Sequence, residues 1–381
     1  MSVEIHSFRY GERPWFKQFL TLPKELYRDD PYFVPELLLE RNDFHNPKKH
    51  ALRRSMDITY FLALKNGRPV GRITAHSYPA HNEKFGDLVG FFGFFEAVDD
   101  VDVAQALFDA TAERLRELGF DTMRGPMNFS TNEEFGTLIE AKRPRPPAIM
   151  MTHTAPYHPS LYEACEFAKA KDVLAFDVEK SSWPNPKIQR FAKLAREKLG
   201  ASVRPVSLSK KDWPAERALV NDIYRRAWED NWGFVPLTDE EFGEMADELR
   251  AVIIPELCMI AEVKGTPVGW ALTLPDIHEL LRHTGGRLLP TAWHLFVRGT
   301  HRKLPRIVKR ARILALGLLP EYRRRGIEAM FYETNYEYLI GHGCDDSEMG
   351  WVLEDNAEML NGARMMGGEH SKTWRIWEKA L

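Results

Sequence analysis

The sequence predicts a mixed α/β fold, a mixed sheet carrying helices, arranged as two similar units in tandem. Residues 61–76 and 259–274 share one pattern of strand, glycine turn, Pro-Val-Gly and second strand, which is typical of a β-hairpin. Residues 161–179 and 358–379 both read as helix, turn and strand. Because both pairs recur in the same order at an offset of roughly 200 residues, an internal repeat explains them together.

The length of 381 residues also favours two domains. Serine and proline cluster in EKSSWPNPK, at 179–187, so we expect the domains to be 1–180 and 181–381, packed together. Within the second domain, residues 277–311 are expected to form an insertion. They separate two predicted strands by about 35 residues, far more than an ordinary loop needs.

Composition restricts the class of protein. Hydrophobic residues make up 44% and aromatic residues 12%, which is enough for a large core. The net charge of −3 argues against nucleic acid as a general partner. Three scattered cysteines suit a reducing compartment and suggest no metal site. With no apolar signal segment and no spanning run, we expect a cytoplasmic protein, at most peripheral on the inner membrane.

The most informative local pattern is an apolar strand that ends in LPEYRRRGI and opens a helix. A helix N-terminus presents bare N–H groups, which attract phosphate. The turn residues are Arg323, Arg324, Arg325 and Gly326. Glu328 stands where a small residue would leave more room, and we expect it to point away from a bound phosphate. The alternative is a solvated, arginine-rich helix start.

The corresponding place in the first half reads AVDDVD, without arginine or glycine. Three aspartates at a helix start repel phosphate. The first domain is therefore expected to serve as a scaffold and as one wall of a binding site rather than as the phosphate site.

The second half reads in order as helix, helix, hairpin, insertion, strand, turn, helix, strand, short helix and strand. In this order, with LPEYRRRGI and LEDNAEMLNGARMMGG, it resembles the GNAT acyltransferase superfamily, and the first half resembles it in outline. Six stretches narrow the resemblance to a tandem branch, the bacterial ceramide synthases: VGRITAH, GFFGFFE, MRGPMNFSTNEEFGTLIE, NWGFVPLT, LTLPD and WVLEDN.

The resemblance implies an acyl-CoA donor, with an acyl carrier protein as the alternative, and no metal. The arginine turn would hold the pyrophosphate. A backbone N–H at Leu318 or Leu319 would stabilise the oxyanion, and Asn356 would position the cofactor arm or cap its helix. The acceptor would be the amine of a long-chain sphingoid base. The alternatives are an acetyl- or aminoacyltransferase acting on a small amine and a non-catalytic lipid-binding protein.

Amine acylation needs a base for the amine and an acid for the leaving thiolate. Asp276 and Glu354 end predicted strands and are the candidate bases, although either one can be a helix cap or a loop charge. Asp355 is the expected N-cap of the next helix. That helix carries no tyrosine, so Tyr332 and Tyr336 are the substitute candidates for the acid.

Two segments are candidates for the acceptor site. Asn231 and Trp232 lie in a loop between helices, where Trp232 can instead fill the core. In the first half, a polar segment is predicted to face a cleft or to saturate its own turn; its candidate residues are Asn128, Asn132 and Glu134. His76 is a further candidate, with a structural role as the alternative.

The insertion combines arginine and lysine with leucine, tryptophan and phenylalanine. This composition suits a segment lying on an anionic membrane surface, which agrees with a lipid acceptor. A helical insertion packed on the core, with a basic outer face, is the alternative.

Overall fold

The computed structural model describes residues 2–282, 285–286 and 308–381. These fall into two compact units. The first contains 2–173, 285–286 and 372–381, and the second contains 174–282 and 308–371. Residues 372–381 thus join the first unit, a placement that the sequence-based boundaries of 1–180 and 181–381 do not give.

The first unit is a sheet with helices packed on it. Its strands follow the order β1-β2-β3-β4-β5-β15, and β8 also pairs with β15. A separate two-stranded sheet joins β6 and β7. The strands are β1 Glu4–Phe8, β2 Ile58–Lys65, β3 Arg68–His76, β4 Val89–Ala97, β5 Thr122–Gly125, β6 Met127–Asn128, β7 Glu134–Phe135, β8 Thr137–Ala141 and β15 Glu369–Ala380. The helices are α1 Trp15–Leu26, α2 Leu38–Phe44, α3 Ala51–Arg54, α4 Pro79–Phe85, α5 Val101–Glu117 and α6 His158–Ala164.

The second unit repeats this plan. Its strands follow the order β9-β14-β13-β12-β11-β10. They are β9 Ala168–Glu179, which begins in the first unit, β10 Ala201–Pro205, β11 Cys258–Val263, β12 Thr266–Pro275, β13 Arg310–Leu318 and β14 Asp346–Leu353. The helices are α7 Pro186–Leu199, α8 Trp213–Trp228, α9 Asp239–Leu249, α10 His278–Leu281, α11 Ile327–Gly341 and α12 Ala357–Met365.

The internal repeat is visible in strand direction. In each unit an antiparallel hairpin, β2–β3 or β11–β12, is followed by an antiparallel third strand, β4 or β13. A helix then leads to a strand that pairs in parallel, β5 or β14. Both third strands shift register against the hairpin, which indicates a bulge in each. The predicted mixed α/β class with two similar halves is confirmed.

Most predicted elements of the second half are present, with shifts at their ends. The helix predicted over Asp239–Val252 is α9 and ends at Leu249, and the strand predicted from Arg312 already begins at Arg310. The predicted insertion 277–311 therefore includes α10 and the first residues of β13. Its central residues, 287–307, lie outside the described residues. The prediction that this segment lies on a membrane surface concerns these residues and stays a prediction.

Each unit has its own apolar core. In the first, α5 buries Val103, Leu107, Phe108 and Leu115 at helical spacing. In the second, α7 and α11 pack small and large residues over the sheet, including Ala192, Ala329 and Phe331. Fully burying one such large side chain contributes about 1.5–3 kcal/mol.

The part of the chain that the structure describes contains no helix long and apolar enough to cross a membrane.

Candidate functional site

The arginine turn after β13 has the geometry of an anion site. Gly326 is the N-cap of α11, with φ of 83°, and Arg324 is also left-handed, with φ of 59°. Within the described residues, the N–H groups of Arg324, Arg325 and Gly326 have no backbone acceptor. Bare N–H groups at a helix start attract negative charge. The turn can therefore hold a phosphate through its backbone.

The three arginines have different roles. Arg323 fastens the turn, because its Nη2 donates to the Ala227 carbonyl at 2.8 Å and its Nε to the Leu318 carbonyl at 3.2 Å. Arg324 is exposed, and its Nε donates to a Glu358 oxygen at 2.8 Å. Arg325 is also exposed. The two exposed guanidinium groups are the ones placed to meet an anion from solvent.

Glu328 is half-buried at the turn, and its direction relative to a bound phosphate stays a prediction. Burial raises the pKa of its carboxyl; the backbone N–H groups of Glu328 and Gly326 lie against the carboxylate and oppose that rise, and the Glu358 charge adds to it. One carboxylate oxygen is buried without a hydrogen-bond partner. A first-turn carboxylate is drawn to the positive end of its own helix, which explains why it lies against those N–H groups. An incoming phosphate must displace it or find it protonated.

Beside the turn, β13 and β14 part from each other. They pair over Arg310–Ile313 and Asp346–Met349, and the described pairing stops there. The Leu319 N–H is unsuitable as the oxyanion donor, because it already bonds the Val268 carbonyl at 2.9 Å. Since successive N–H groups of a strand point to opposite edges, the Leu318 N–H faces the edge from which β14 has parted.

Asp276 is buried in an ion-pair cluster. It is 1% exposed, and its carboxylate accepts hydrogen bonds from Arg310 Nη1 at 3.4 Å and from the His278 N–H at 3.2 Å. Arg310 also pairs with Glu348, which is fully buried. Arg310 and Glu348 were not predicted from the sequence, because Arg310 lies within the residues assigned to a basic insertion. The signal was the alternation of Arg310 and Arg312 at the start of an apolar strand.

The end of β14 carries the other candidates. Glu354 is half-buried. Asn356, not Asp355, is the N-cap of α12, because its side chain accepts from the Met359 N–H at 3.0 Å. Asp355 is exposed one residue too early to cap.

The two tyrosines of α11 differ. The Tyr336 hydroxyl donates to the Met366 carbonyl. The Tyr332 hydroxyl lies 2.3 Å from where a Cβ on Gly362 would sit, so glycine leaves room for it on α12. Burial and the Glu328 charge both raise the pKa of Tyr332. Both effects favour a neutral phenol, the form that can donate a proton.

The loop candidates of the second unit lie after α8. Asn231 and Trp232 are both half-buried, and the Asn231 N–H bonds the Trp228 carbonyl at 2.9 Å. Trp228 itself contacts the sheet, since a Cβ on Gly317 would lie 2.1 Å from its ring. A glycine in β13 thus leaves room for the Trp228 indole, which was not predicted from the sequence.

The first-unit candidates form a separate buried network. Asn128 Oδ1 accepts from the Phe94 N–H at 2.7 Å, and Asn128 Nδ2 donates to Glu134 at 3.0 Å. Glu134 in turn pairs with Arg41 at 2.6 Å. The Asn132 N–H bonds the Ser130 hydroxyl at 3.2 Å, as a self-saturated turn does.

His76, on β3, is completely buried between Phe91 and Phe129. Burial, together with the Arg53 charge, lowers its pKa to about 3. The imidazole is therefore neutral at physiological pH.

Comparison with known proteins gives the class. No protein-family model matches the chain. A tandem GNAT protein from the clavulanic acid biosynthesis pathway, solved without acetyl-CoA, matches with a TM-score of 0.59 at 13% identity, over 100% of this chain and 98% of that one. A GCN5-related N-acetyltransferase from Sphaerobacter thermophilus matches with a TM-score of 0.54 at 13% identity, over 99% and 95%. The fold is that of the tandem GNAT proteins.

Two sequence relatives narrow the class. The "Bacterial ceramide synthase" of Caulobacter vibrioides is 33% identical over 96% of this chain and 94% of that protein. "Protein YghO" of Escherichia coli is 32% identical over 96% and 93%. The chain belongs to the tandem GNAT acyltransferase family that contains these two proteins. This membership confirms the predicted enzyme class, an acyl-CoA-dependent N-acyltransferase.

Proposed function

We propose that the protein transfers a fatty acyl group from acyl-CoA to the amine of a long-chain sphingoid base. The observation that carries this proposal is the 33% identity, over 96% of the chain, with a protein named bacterial ceramide synthase. The apolar and basic composition of residues 277–311 supports a lipid acceptor independently of that name.

The donor binds the second unit. Its pyrophosphate is held by the N–H groups of the turn, with Arg324 and Arg325 offsetting its charge. Its thioester enters where β13 and β14 part, and the Leu318 N–H donates to the carbonyl oxygen as that oxygen becomes an oxyanion. The first unit lacks such a turn and serves as the scaffold and acceptor wall.

The chemistry moves three protons. The acceptor ammonium loses one proton to a carboxylate, and the free amine attacks the thioester carbonyl. The nitrogen of the tetrahedral intermediate then gives up a second proton, collapse breaks the C–S bond, and the thiolate takes a proton to leave as CoA, so that one proton is released in total. Asp276 and Glu354 are the proposed bases and Tyr332 is the proposed acid. Arg310 supports Asp276 by pairing with its carboxylate, Nη1 to Oδ2 at 3.4 Å.

Acylation assays on the pure protein test the proposal. Acyl-CoAs of graded chain length should give product with a long-chain base and little with short polyamines or amino sugars. Acyl carrier protein charged with the same chain tests the alternative donor. Preference for acetyl-CoA and a small amine would favour the competing enzyme, and lack of turnover with every pair would favour a lipid-binding role.

The bases are separated by two matched substitutions. Asp276→Asn or Glu354→Gln, whichever removes the base, should lower kcat by about 100-fold or more and abolish the acidic limb of the pH–rate profile. The other should leave that limb in place. Two profiles that keep the wild-type shape would exclude both residues.

Membrane association has its own test. The protein should float with anionic vesicles at low salt and leave them at high salt, because each cation near the surface contributes about 1 kcal/mol. Changing Arg302, Lys303 and Arg306 to Gln should weaken flotation and slow turnover of a membrane-embedded acceptor, while a water-soluble amine is acylated as before. Arg310 is left unchanged, because it is buried in the Asp276 cluster. Absence of flotation would remove the membrane surface from the proposal.

A further inference from the structure

Helix α7 exposes an aromatic ring directly beside the arginine turn. Phe191 is 37% exposed and is the one large apolar side chain exposed among the described residues of the second unit. A Cβ placed on Gly326 would lie 3.0 Å from the Phe191 carbonyl oxygen and 3.5 Å from its Cβ. The exposed ring thus leaves the backbone at the point where α7 touches the turn.

Two cations accompany this ring. Lys187 precedes Phe191 by four residues and so lies on the same face of α7. Arg190 is its immediate neighbour, and both cations are exposed. Within the described residues neither of them forms an ion pair, whereas Lys193, further along the helix, pairs with Glu197 at 3.7 Å. The positive charges of Lys187 and Arg190, next to the turn, are therefore available to an anionic ligand.

We propose that Phe191, Lys187 and Arg190 bind the 3′-phosphoadenosine end of coenzyme A. This inference rests on the acyl-CoA donor of the proposed function. Once the turn holds the pyrophosphate, the adenosine must lie within a few bonds of it, and α7 is the element in contact with Gly326. An adenine presents a flat π-face to a phenyl ring, and the 3′-phosphate presents negative charge to the cations.

The proposed site also distinguishes between donors. A 4′-phosphopantetheine arm, as carried by an acyl carrier protein, has the pantetheine and one phosphate but no nucleotide. It gains nothing from α7. The ring and the two cations therefore select coenzyme A, and they recover part of the affinity that the Glu328 carboxylate costs at the turn.

Titration calorimetry on the full chain tests this with three ligands: coenzyme A, dephospho-coenzyme A and 4′-phosphopantetheine. Wild type should bind them in that order of affinity. Phe191→Ala should weaken coenzyme A about tenfold, the scale of one lost base-stacking contact, and leave 4′-phosphopantetheine unchanged. Lys187→Gln and Arg190→Gln should reduce the preference for coenzyme A over dephospho-coenzyme A.

Three controls keep the result interpretable. Phe85→Ala removes an exposed phenyl ring of the first unit, and Lys198→Gln removes an exposed cation at the far end of α7. Neither should alter binding. Phe191→Tyr should retain it, because the π-face remains, and thermal melting verifies that each variant folds.

Equal weakening of all three ligands in Phe191→Ala would overturn the inference, since the ring would then support the turn itself. Equal wild-type affinity for coenzyme A and dephospho-coenzyme A would overturn the phosphate contact while leaving the donor intact. Failure of wild type to bind any coenzyme A would instead overturn the donor of the proposed function, and this inference with it.

Discussion

Strands β4 and β13 occupy the same place in the two units, yet they present different edges. Each is bulged and pairs in parallel with the next strand over a short stretch only, Val89–Phe91 in β4 and Arg310–Ile313 in β13. Beyond that stretch, the Phe94 N–H of β4 is bonded by Asn128 at 2.7 Å. A Cβ on Gly93 would lie 2.2 Å from the Met127 carbonyl, so β6 fits closely against the strand.

The helices that follow these strands, α5 and α11, also differ in how their first N–H groups are capped. At the start of α5, the Asp100 carboxylate accepts from the N–H groups of Asp102 at 3.0 Å and Val103 at 3.4 Å. At the start of α11, the cap is Gly326, which has no side chain to offer. The first unit therefore satisfies its own strand edge and helix start. In the second unit, the described pairing of β13 with β14 stops at Ile313, and the helix start is met by the carboxylate of Glu328. Under the proposed function, one fold gives a scaffold in one copy and a donor site in the other.

The largest expected effect comes from filling the turn. Gly326→Trp places a side chain at a left-handed φ of 83° and against Phe191. We expect coenzyme A affinity to fall by about 100-fold or more, since the N–H groups lose their geometry. Calorimetry measures this, with melting as the folding check. Unchanged affinity in a folded variant would remove the turn from the donor site.

The matched change in the first unit is Asp100→Ala. It removes a helix cap and should lower the free energy of unfolding by about 1 kcal/mol, measured by urea titration. Donor affinity should not change. A parallel loss of coenzyme A binding would mean that the two helix starts are not functionally different.

A second change in the first unit concerns its strand edge. Asn128→Ala leaves the buried Phe94 N–H without its acceptor and removes a partner of Glu134. We expect a loss of about 1–3 kcal/mol in the free energy of unfolding. No second coenzyme A site should appear, because the arginine turn is still absent there. A stoichiometry of two in calorimetry would contradict this.

The smallest expected effect is the pH dependence at Glu328. Its folded pKa is raised, so the folded protein holds this proton more tightly than the unfolded chain does. Stability from this group therefore falls as pH rises from the ordinary glutamate pKa, about 4.3, through the raised value. Coenzyme A affinity should fall a few-fold over the same window, as the carboxylate ionises against the phosphate.

Glu328→Gln should flatten both dependences, and Glu328→Gly should also bind coenzyme A more tightly at neutral pH. Chemical denaturation and calorimetry across pH follow the two quantities. A wild-type profile that Glu328→Gln leaves unaltered would assign the titration to another group.

The order of elements and the arginine turn could be predicted from the sequence, because both depend on local pattern. Hairpins, helix caps and the arginine turn after Pro320 each depend on residues that are close together in the sequence. The cluster of Asp276, Arg310 and Glu348 could not be found in this way. Arg310 and Glu348 lie on two strands and Asp276 directly follows a third, and these strands become neighbours only through strand order and register.

The direction in which a side chain points could not be predicted from the sequence either. Glu328 is expected to point away from a bound phosphate because its charge opposes phosphate, but the start of its own helix attracts the carboxylate. Asp355 and Asn356 are both good capping residues, and only the backbone conformation selects Asn356.

Residues 372–381 complete the first unit, pairing with β5 and β8 and placing Trp377 in its core. Domains commonly fold in the order in which a ribosome makes them. Here the N-terminal unit lacks the strand that pairs with both β5 and β8 until residues 372–381 have been translated. Its sheet remains open during synthesis, exposing an unpaired edge and a gap in its apolar core. The second unit, continuous in sequence apart from its insertion, has its residues assembled first and is expected to fold before the first unit can close.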